Sequence, residues 1–272
     1  MSEKFMAPPW LKYPQLFYGC IGWRMGYGEC YMEEYLDWLD GLDDVMRKEF
    51  EEKFPKPVFW DNSIIMKNGD YSIPKWRWQN NGLPKYSAGN FDGNDEKIFF
   101  WKHEPTSDGV GSECFSQWYE AGFSVGHRNF WCAEQFMMAE KARLFGDMEA
   151  YEKIMVSKEQ GEIKDLGRGV RGFDQEIWDK FKYWIVINGN YYKFSENEAL
   201  RKYIMSTEGA VLAEASPFDR IWGIGMDEDK AQKCESKKWR GENLLGFAIM
   251  EVREEIIRIW KYADELDFTL YE

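Results

Sequence analysis

An acid and an amine, Glu134 and Lys141, stand seven residues apart in FWCAEQFMMAEKARLFGD, residues 130–147. A carboxylate can carry a proton or stabilise developing positive charge, and a desolvated lysine can act as a nucleophile. On one wall of a pocket the two would make a nucleophile-plus-carboxylate site. The bland alternative is that both are solvated, or snorkel from the edge of a buried stripe. Two histidines, His103 and His127, are too few for a His-rich metal centre and make a Ser-His-Asp triad a poor fit. Chemistry must rest on carboxylates, lysines, hydroxyls and backbone groups. Cysteines 20, 30, 114, 132 and 234 fit no zinc or redox spacing, so they are expected to be reduced and structural, with no metal or cofactor.

The element that positions the pair is predicted to be a helix. From Ala133 to Phe145 there is no Gly, Pro or β-branched residue, and Gly146 stops the run. On a helix, seven residues bring both side chains to nearly one face, about 10.5 Å apart along the axis. Around it, IFFWK (98–102) and FSVG (123–126) read as strands. MEAYEKIMVS, FDQEIWDKFKYWIVING and ENEALRKYIMST read as helices, and VLAEAS (211–216) as a short strand. A last helix follows Asn243, a good N-cap, with Leu245, Ala248, Ile249, Val252 and Ile256 as its buried stripe. Upstream, residues 30–54 read as a charged helix interrupted at Gly41. Residues 56–78 read as strands with turn signals at Asn-Gly and Pro, and 83–97 as a turn-rich linker.

The chain has 272 residues, 44% hydrophobic and 18% aromatic, which is ample for one large domain or two small ones. No run reaches the roughly 18 apolar residues of a membrane span, and the N-terminus has no signal-like stretch, so a soluble cytoplasmic protein with no membrane partner is expected. Net charge is −13, of which residues 1–90 carry −2. That balance disfavours non-specific duplex DNA binding, which needs many phosphate-neutralising cations. GRGVRG (167–172) fits G-x-G-x-x-G, but a charged EIKDL precedes it and no ribose-binding acid follows at the right distance. A dinucleotide-binding fold is therefore rejected.

Four segments stand together: FSQWY (115–119), AEQFMMAEKARLFGD (133–147), KDLGRGV (164–170), and EASPFDRIWGIG (214–225) with WRGENLLGFAIMEVR (239–253). In that order, with Lys193, Phe194 and Asn197 as a KF-x-x-N stretch, they resemble the NADAR, or YbiA-like, family over about residues 98–258. The tail DRIWGIG…WRGENLLG is the specific part. Where the family often has Glu-His, this chain has Glu134-Gln135. The resemblance implies an α+β fold, mostly helical with a small sheet. It places a catalytic domain at 98–272 and leaves an N-terminal extension, 1–95, which is expected to pack on that domain because its many aromatics need burial.

The resemblance also implies an N-glycosidase that splits a bond between ribose C1 and nitrogen. The favoured substrate is ADP-ribosylated guanosine, free or in nucleic acid, with a cognate ADP-ribosyltransferase toxin as possible partner. Alternatives are hydrolysis of phosphorylated riboflavin intermediates, or a non-catalytic module that binds an ADP-ribose-like ligand. Glu134, Lys141 and Asp219 are the expected catalytic residues. Ser116, Trp118, Gln135, Arg168, Lys193, Trp222 and Gly223 are expected to bind substrate, Arg168 and Lys193 through phosphates. Trp118 and Trp222 read equally as core residues, Arg168 equally as a helix C-cap, and Glu242 as structural.

Overall fold

The computed structural model describes residues 4–60, 84–91, 94–104 and 109–270, with the paired strands Met66–Lys67 and Asp70–Tyr71 between them. Strands and helices, in chain order, are β1 (Phe5–Met6), α1 (Pro9–Lys12), α2 (Tyr27–Asp40), α3 (Asp44–Lys53), β2 (Met66–Lys67), β3 (Asp70–Tyr71), β4 (Lys97–Phe100), β5 (Phe123–Val125), β6 (Arg128–Phe130), α4 (Ala133–Leu144), α5 (Met148–Val156), α6 (Gln160–Arg168), α7 (Gln175–Glu196), α8 (Glu198–Ser206), β7 (Val211–Glu214), α9 (Glu228–Ala231), α10 (Leu244–Trp260) and β8 (Leu266–Asp267). The fold is α+β and mainly helical, with two-stranded pairings in place of a broad sheet. No helix among the described residues is long and apolar enough to cross a membrane.

The long α7 is the axis of the core. Every residue from Tyr183 to Ser195 is buried, the condition of a helix enclosed on all sides. It packs against α4, α8 and α10. A Cβ on Gly189 would lie 2.6 Å from the Phe136 ring, so a glycine there lets α4 come close. The helix bearing the acid–amine pair is thus seated on a helical segment that is buried on every side. Its outer end is fixed by Glu140, a fully buried carboxylate ion-paired with Arg128 on β6 and, at 2.7 Å, with Arg143.

β4 and β7 pair in parallel, Lys97 opposite Val211 and Phe100 opposite Glu214. Asn243 sits where sequence places an N-cap, but its side chain does not cap α10. Its Oδ1 accepts from Glu214 N at 3.0 Å and its Nδ2 donates to Leu212 O at 2.8 Å. It holds a left-handed φ of 55°, which asparagine tolerates better than most residues. The side chain is therefore spent on strand β7, not on the helix.

Residues 30–54 form two helices broken at Gly41–Asp43, and Asp43 caps α3 by accepting from Val45 N and Met46 N. β1 pairs with β8, and Phe59 stacks on Trp184 and Tyr191 of α7, centroids 5.4 and 4.2 Å apart. Met66–Lys67 pairs antiparallel with Asp70–Tyr71, Met66 opposite Tyr71; the rest of 61–83, including the Asn68-Gly69 and Pro74 turn signals, lies outside the described residues. The expected linker is strapped to α10 instead of lying free: Lys85 N donates to Glu251 at 2.8 Å and the Tyr86 hydroxyl to Glu254.

Candidate active site

A cleft of about 670 Å³ is walled by α4, α6, the 101–104 and 116–118 segments and the loop after β7. Glu134 enters it from the first turn of α4. Cys132 caps that turn, its sulfur accepting from Gln135 N at 3.4 Å, while Glu134 N donates to Gln117 O at 2.9 Å. Burial pushes the Glu134 carboxyl up to about 7; Lys164 opposes the shift and Asp219 adds to it.

Lys141 stands two turns along the same helix and lines the same cleft. Its Nζ donates to Gly167 O at 2.7 Å and lies 4.3 Å from the centre of the Phe173 ring and 5.4 Å from that of Trp178. Partial burial lowers its pKa, in the direction a nucleophilic amine requires. The aromatic faces and the carbonyl hold the ammonium, with no acid of the described residues within ion-pair distance.

The third wall is the loop Ser216–Gly223. Asp219 Oδ1 accepts from Ile221 N and Trp222 N, both at 2.8 Å, and the loop turns back onto β7 through Ile224 N to Glu214 O at 2.9 Å. Glu214, the last residue of β7, also lines the cleft, and its buried Oε2 has no hydrogen-bond partner among the described residues. Burial, then Asp219, then Glu134 hold its carboxyl up at about 8. Three carboxylates therefore face one space, and two are disposed to hold protons near neutral pH. Carboxyls raised in this way, by burial and by one another, are suited to hold and pass protons at a site.

Of the residues expected from sequence, Glu134, Lys141, Asp219, Ser116, Trp118, Arg168 and Trp222 meet in this cleft. Trp118 carries Lys164, its Nζ 5.1 Å from the ring centroid, and Arg168 is an exposed rim residue 3.7 Å from Asp165. Gly167 and Arg168 are the last two residues of α6. A Cβ on Gly167 would lie 2.1 Å from Met138 Sδ, so this glycine brings α6 onto α4. Three expected binders do not line the cleft. Lys193 is fully buried and donates to Cys114 O and Ser116 O at 2.6 and 2.8 Å, so it anchors the Ser116 segment and has no access to a phosphate. Gln135 is buried too, accepting from Trp131 N and donating to Ile154 O, a tie between α4 and α5. Gly223 is a packing position: a Cβ there would lie 3.0 Å from Glu214 O and 3.1 Å from Asp219 O. Glu242, read as structural, is exposed and its N–H donates to Arg220 O.

Glu214 is the residue that sequence reasoning missed. The signal was present, because it opens the E-A-S segment, but as the end of a strand it carried no helical face to betray its direction. Trp101 and Phe218 were missed as well. They are exposed, with ring centroids 6.4 Å apart, and flank the cleft. Among the described residues no three His, Cys, Asp or Glu are grouped to hold a metal ion.

The NADAR domain model matches residues 99–257. The chain is 44% identical over 166 residues to N-glycosidase R617 of Acanthamoeba polyphaga mimivirus, covering 59% of this chain and 96% of that protein. It is 39% identical over 130 residues to protein irg-1 of Caenorhabditis elegans, covering 47% of this chain and 61% of that one. A third similarity, 31% over 110 residues, is to the chloroplastic riboflavin biosynthesis protein PYRR of Zea mays; it covers 39% of this chain and 16% of that protein. The cleft, with Glu134, Lys141, Glu214 and Asp219, falls within the matched region, and the chain belongs to the NADAR family.

Proposed function

We propose that this protein is an N-glycosidase that hydrolyses the bond joining ribose C1 of ADP-ribose to a guanine nitrogen, releasing ADP-ribose and unmodified guanosine. The observation that carries the reading is the meeting of Glu134, Glu214 and Asp219 around one cleft that Lys141 also lines. Breaking a C1–N bond builds positive charge on the sugar and negative charge on the departing nitrogen. Asp219, fixed by two backbone amides, is suited to face the charged sugar. Glu214, protonated below about 8, is suited to give its proton to the leaving nitrogen.

Lys141 supplies the covalent route. Its neutral amine attacks C1 while the C1–N bond breaks and Glu214 protonates the nitrogen that leaves. The sugar ring opens, C1 and Nζ form an imine, and water activated by Glu134 hydrolyses it, returning the amine and ADP-ribose. The net reaction consumes one water. The name N-glycosidase borne by the mimiviral relative supports the reaction class. An ADP-ribosyltransferase would supply the substrate.

The test is incubation with ADP-ribosylated guanine, as nucleoside and in an oligonucleotide, beside a phosphorylated aminopyrimidine glycoside of the riboflavin type. Release of ADP-ribose from the guanine substrates supports the reading. Turnover of the aminopyrimidine alone would transfer the same machinery to the other substrate, and turnover of neither would reject it.

A further inference from the structure

A second and larger cavity, about 940 Å³, lies among α1, α2, α3 and the 18–24 and 54–60 segments. It is outside the region matched by the family and shares no lining residue with the cleft. Three indoles are among its lining residues, Trp10 and Trp60 largely buried and Trp23 half-buried. Trp60 meets Trp10 edge to face at 5.6 Å and Trp23 at 5.3 Å. The volume falls within the range of pockets that take small molecules and cofactors.

Its charge runs against the rest of the molecule. The chain carries −13, yet the charged residues lining this cavity are Arg24, Arg47 and Lys56 against Glu51 alone. Arg47 is engaged, 3.3 Å from both Asp40 and Glu51. Arg24 and Lys56 are exposed and have no ion-pair partner among the described residues; Lys56 Nζ lies 6.0 Å from the Trp10 ring centroid. A cationic ligand would be attracted by the rings but repelled by these three cations. A neutral apolar ligand would leave the cations unused. A planar aromatic group that carries an anion satisfies both features, the ring on the indoles and the anion on the two unpaired cations.

We propose that this cavity is a binding site for a nucleoside phosphate, its base against the Trp10, Trp23 and Trp60 rings and its phosphates on Arg24 and Lys56. The inference is independent of what the cleft hydrolyses.

The test is isothermal titration of the full chain with ADP, adenosine and inorganic phosphate, repeated on Arg24→Glu/Lys56→Glu. The double variant should keep its melting temperature, since both side chains are exposed, and should bind ADP about tenfold more weakly or worse, as expected for loss of charge-assisted phosphate contacts. The neutralised pair Arg24→Gln/Lys56→Gln should fall between. Adenosine and phosphate should each bind far more weakly than ADP. No binding of ADP overturns the proposal. So does equal binding by the double variant, which would locate the ligand elsewhere, or adenosine or phosphate matching ADP.

Discussion

Replacing Glu214 by Gln should damage catalysis and improve stability at the same time, and the structure sets the size of both effects. The Glu214 carboxyl is raised from 4.5 to about 8 by burial and by Asp219 and Glu134. An acid raised in the folded state binds its proton more tightly there than when unfolded. Its contribution is therefore intact below pH 4.5 and is lost progressively as pH rises to about 8. Fully developed, that shift corresponds to about 5 kcal/mol; the residue is partly open to the cleft, so about 2–5 kcal/mol is the working range. Gln keeps the shape and never ionises. In urea titrations at pH 5 the variant should lie within about 1 kcal/mol of the parent, and at pH 9 it should be clearly the more stable of the two. Its kcat/KM on ADP-ribosylated guanosine should fall about 10²–10⁴-fold, the usual worth of a positioned proton donor. The parent's kcat/KM should decline above about pH 8 as Glu214 ionises, and below about 7 as Glu134 takes up a proton, the two limbs belonging jointly to the coupled pair. In the variant the alkaline limb should vanish. Activity within a few fold of the parent, or a variant less stable than the parent at pH 9, would refute the assignment of Glu214 as a strained proton donor.

Lys141→Arg should abolish a cyanoborohydride-trapped adduct on the peptide containing residue 141, because guanidinium is no nucleophile; undiminished hydrolysis by this variant would leave position 141 a binding cation. Lys193→Met removes one buried ammonium and both of its hydrogen bonds and should lower stability by about 2–4 kcal/mol in urea, with little change in KM between phosphorylated and unphosphorylated substrates. A rise in KM confined to phosphorylated substrates, without loss of stability, would restore the phosphate role. Asn243→Ala should cost about 1–3 kcal/mol and reduce kcat by loosening the strand that carries Glu214, measured by thermal melting beside turnover; unchanged melting would show those bonds to be idle.

The acid–amine pair was legible because helical spacing is written directly in sequence: seven residues on an uninterrupted helix put Glu134 and Lys141 on one wall. Glu214 was not. Its position depends on β7 pairing with β4, whose residue Phe100 stands opposite it from far away in the chain, and on a loop that folds Asp219 back beside it. Lys193 was misjudged because burial on every side of α7 is a tertiary fact; a lysine in KYWIVINGNYYKF reads as an available cation until its carbonyl partners are seen. Asn243 shows the same limit. Its type and place announce a cap, and only the neighbouring strand explains why its amide is used elsewhere. The glycines at 167 and 189 mark where another helix comes close, which only the packed neighbours reveal.

The enclosure of α7 has a consequence for how the molecule opens. With every residue from Tyr183 to Ser195 buried and the helix packed against α4, α8 and α10, no fraying or sliding of a single neighbour exposes its backbone to solvent. Amide hydrogens in this stretch can exchange with deuterium only when the whole core comes apart, so their rate reports the global unfolding free energy. Those of the half-exposed α2 and α3 report local excursions instead. Because α4 rests on α7, the carboxylate and amine it carries are expected to share that protection, while Asp219, on a loop held by backbone hydrogen bonds, should exchange sooner. The site is thus assembled across a boundary between a stiff floor and a more yielding wall, and substrate entry would be expected to displace the wall.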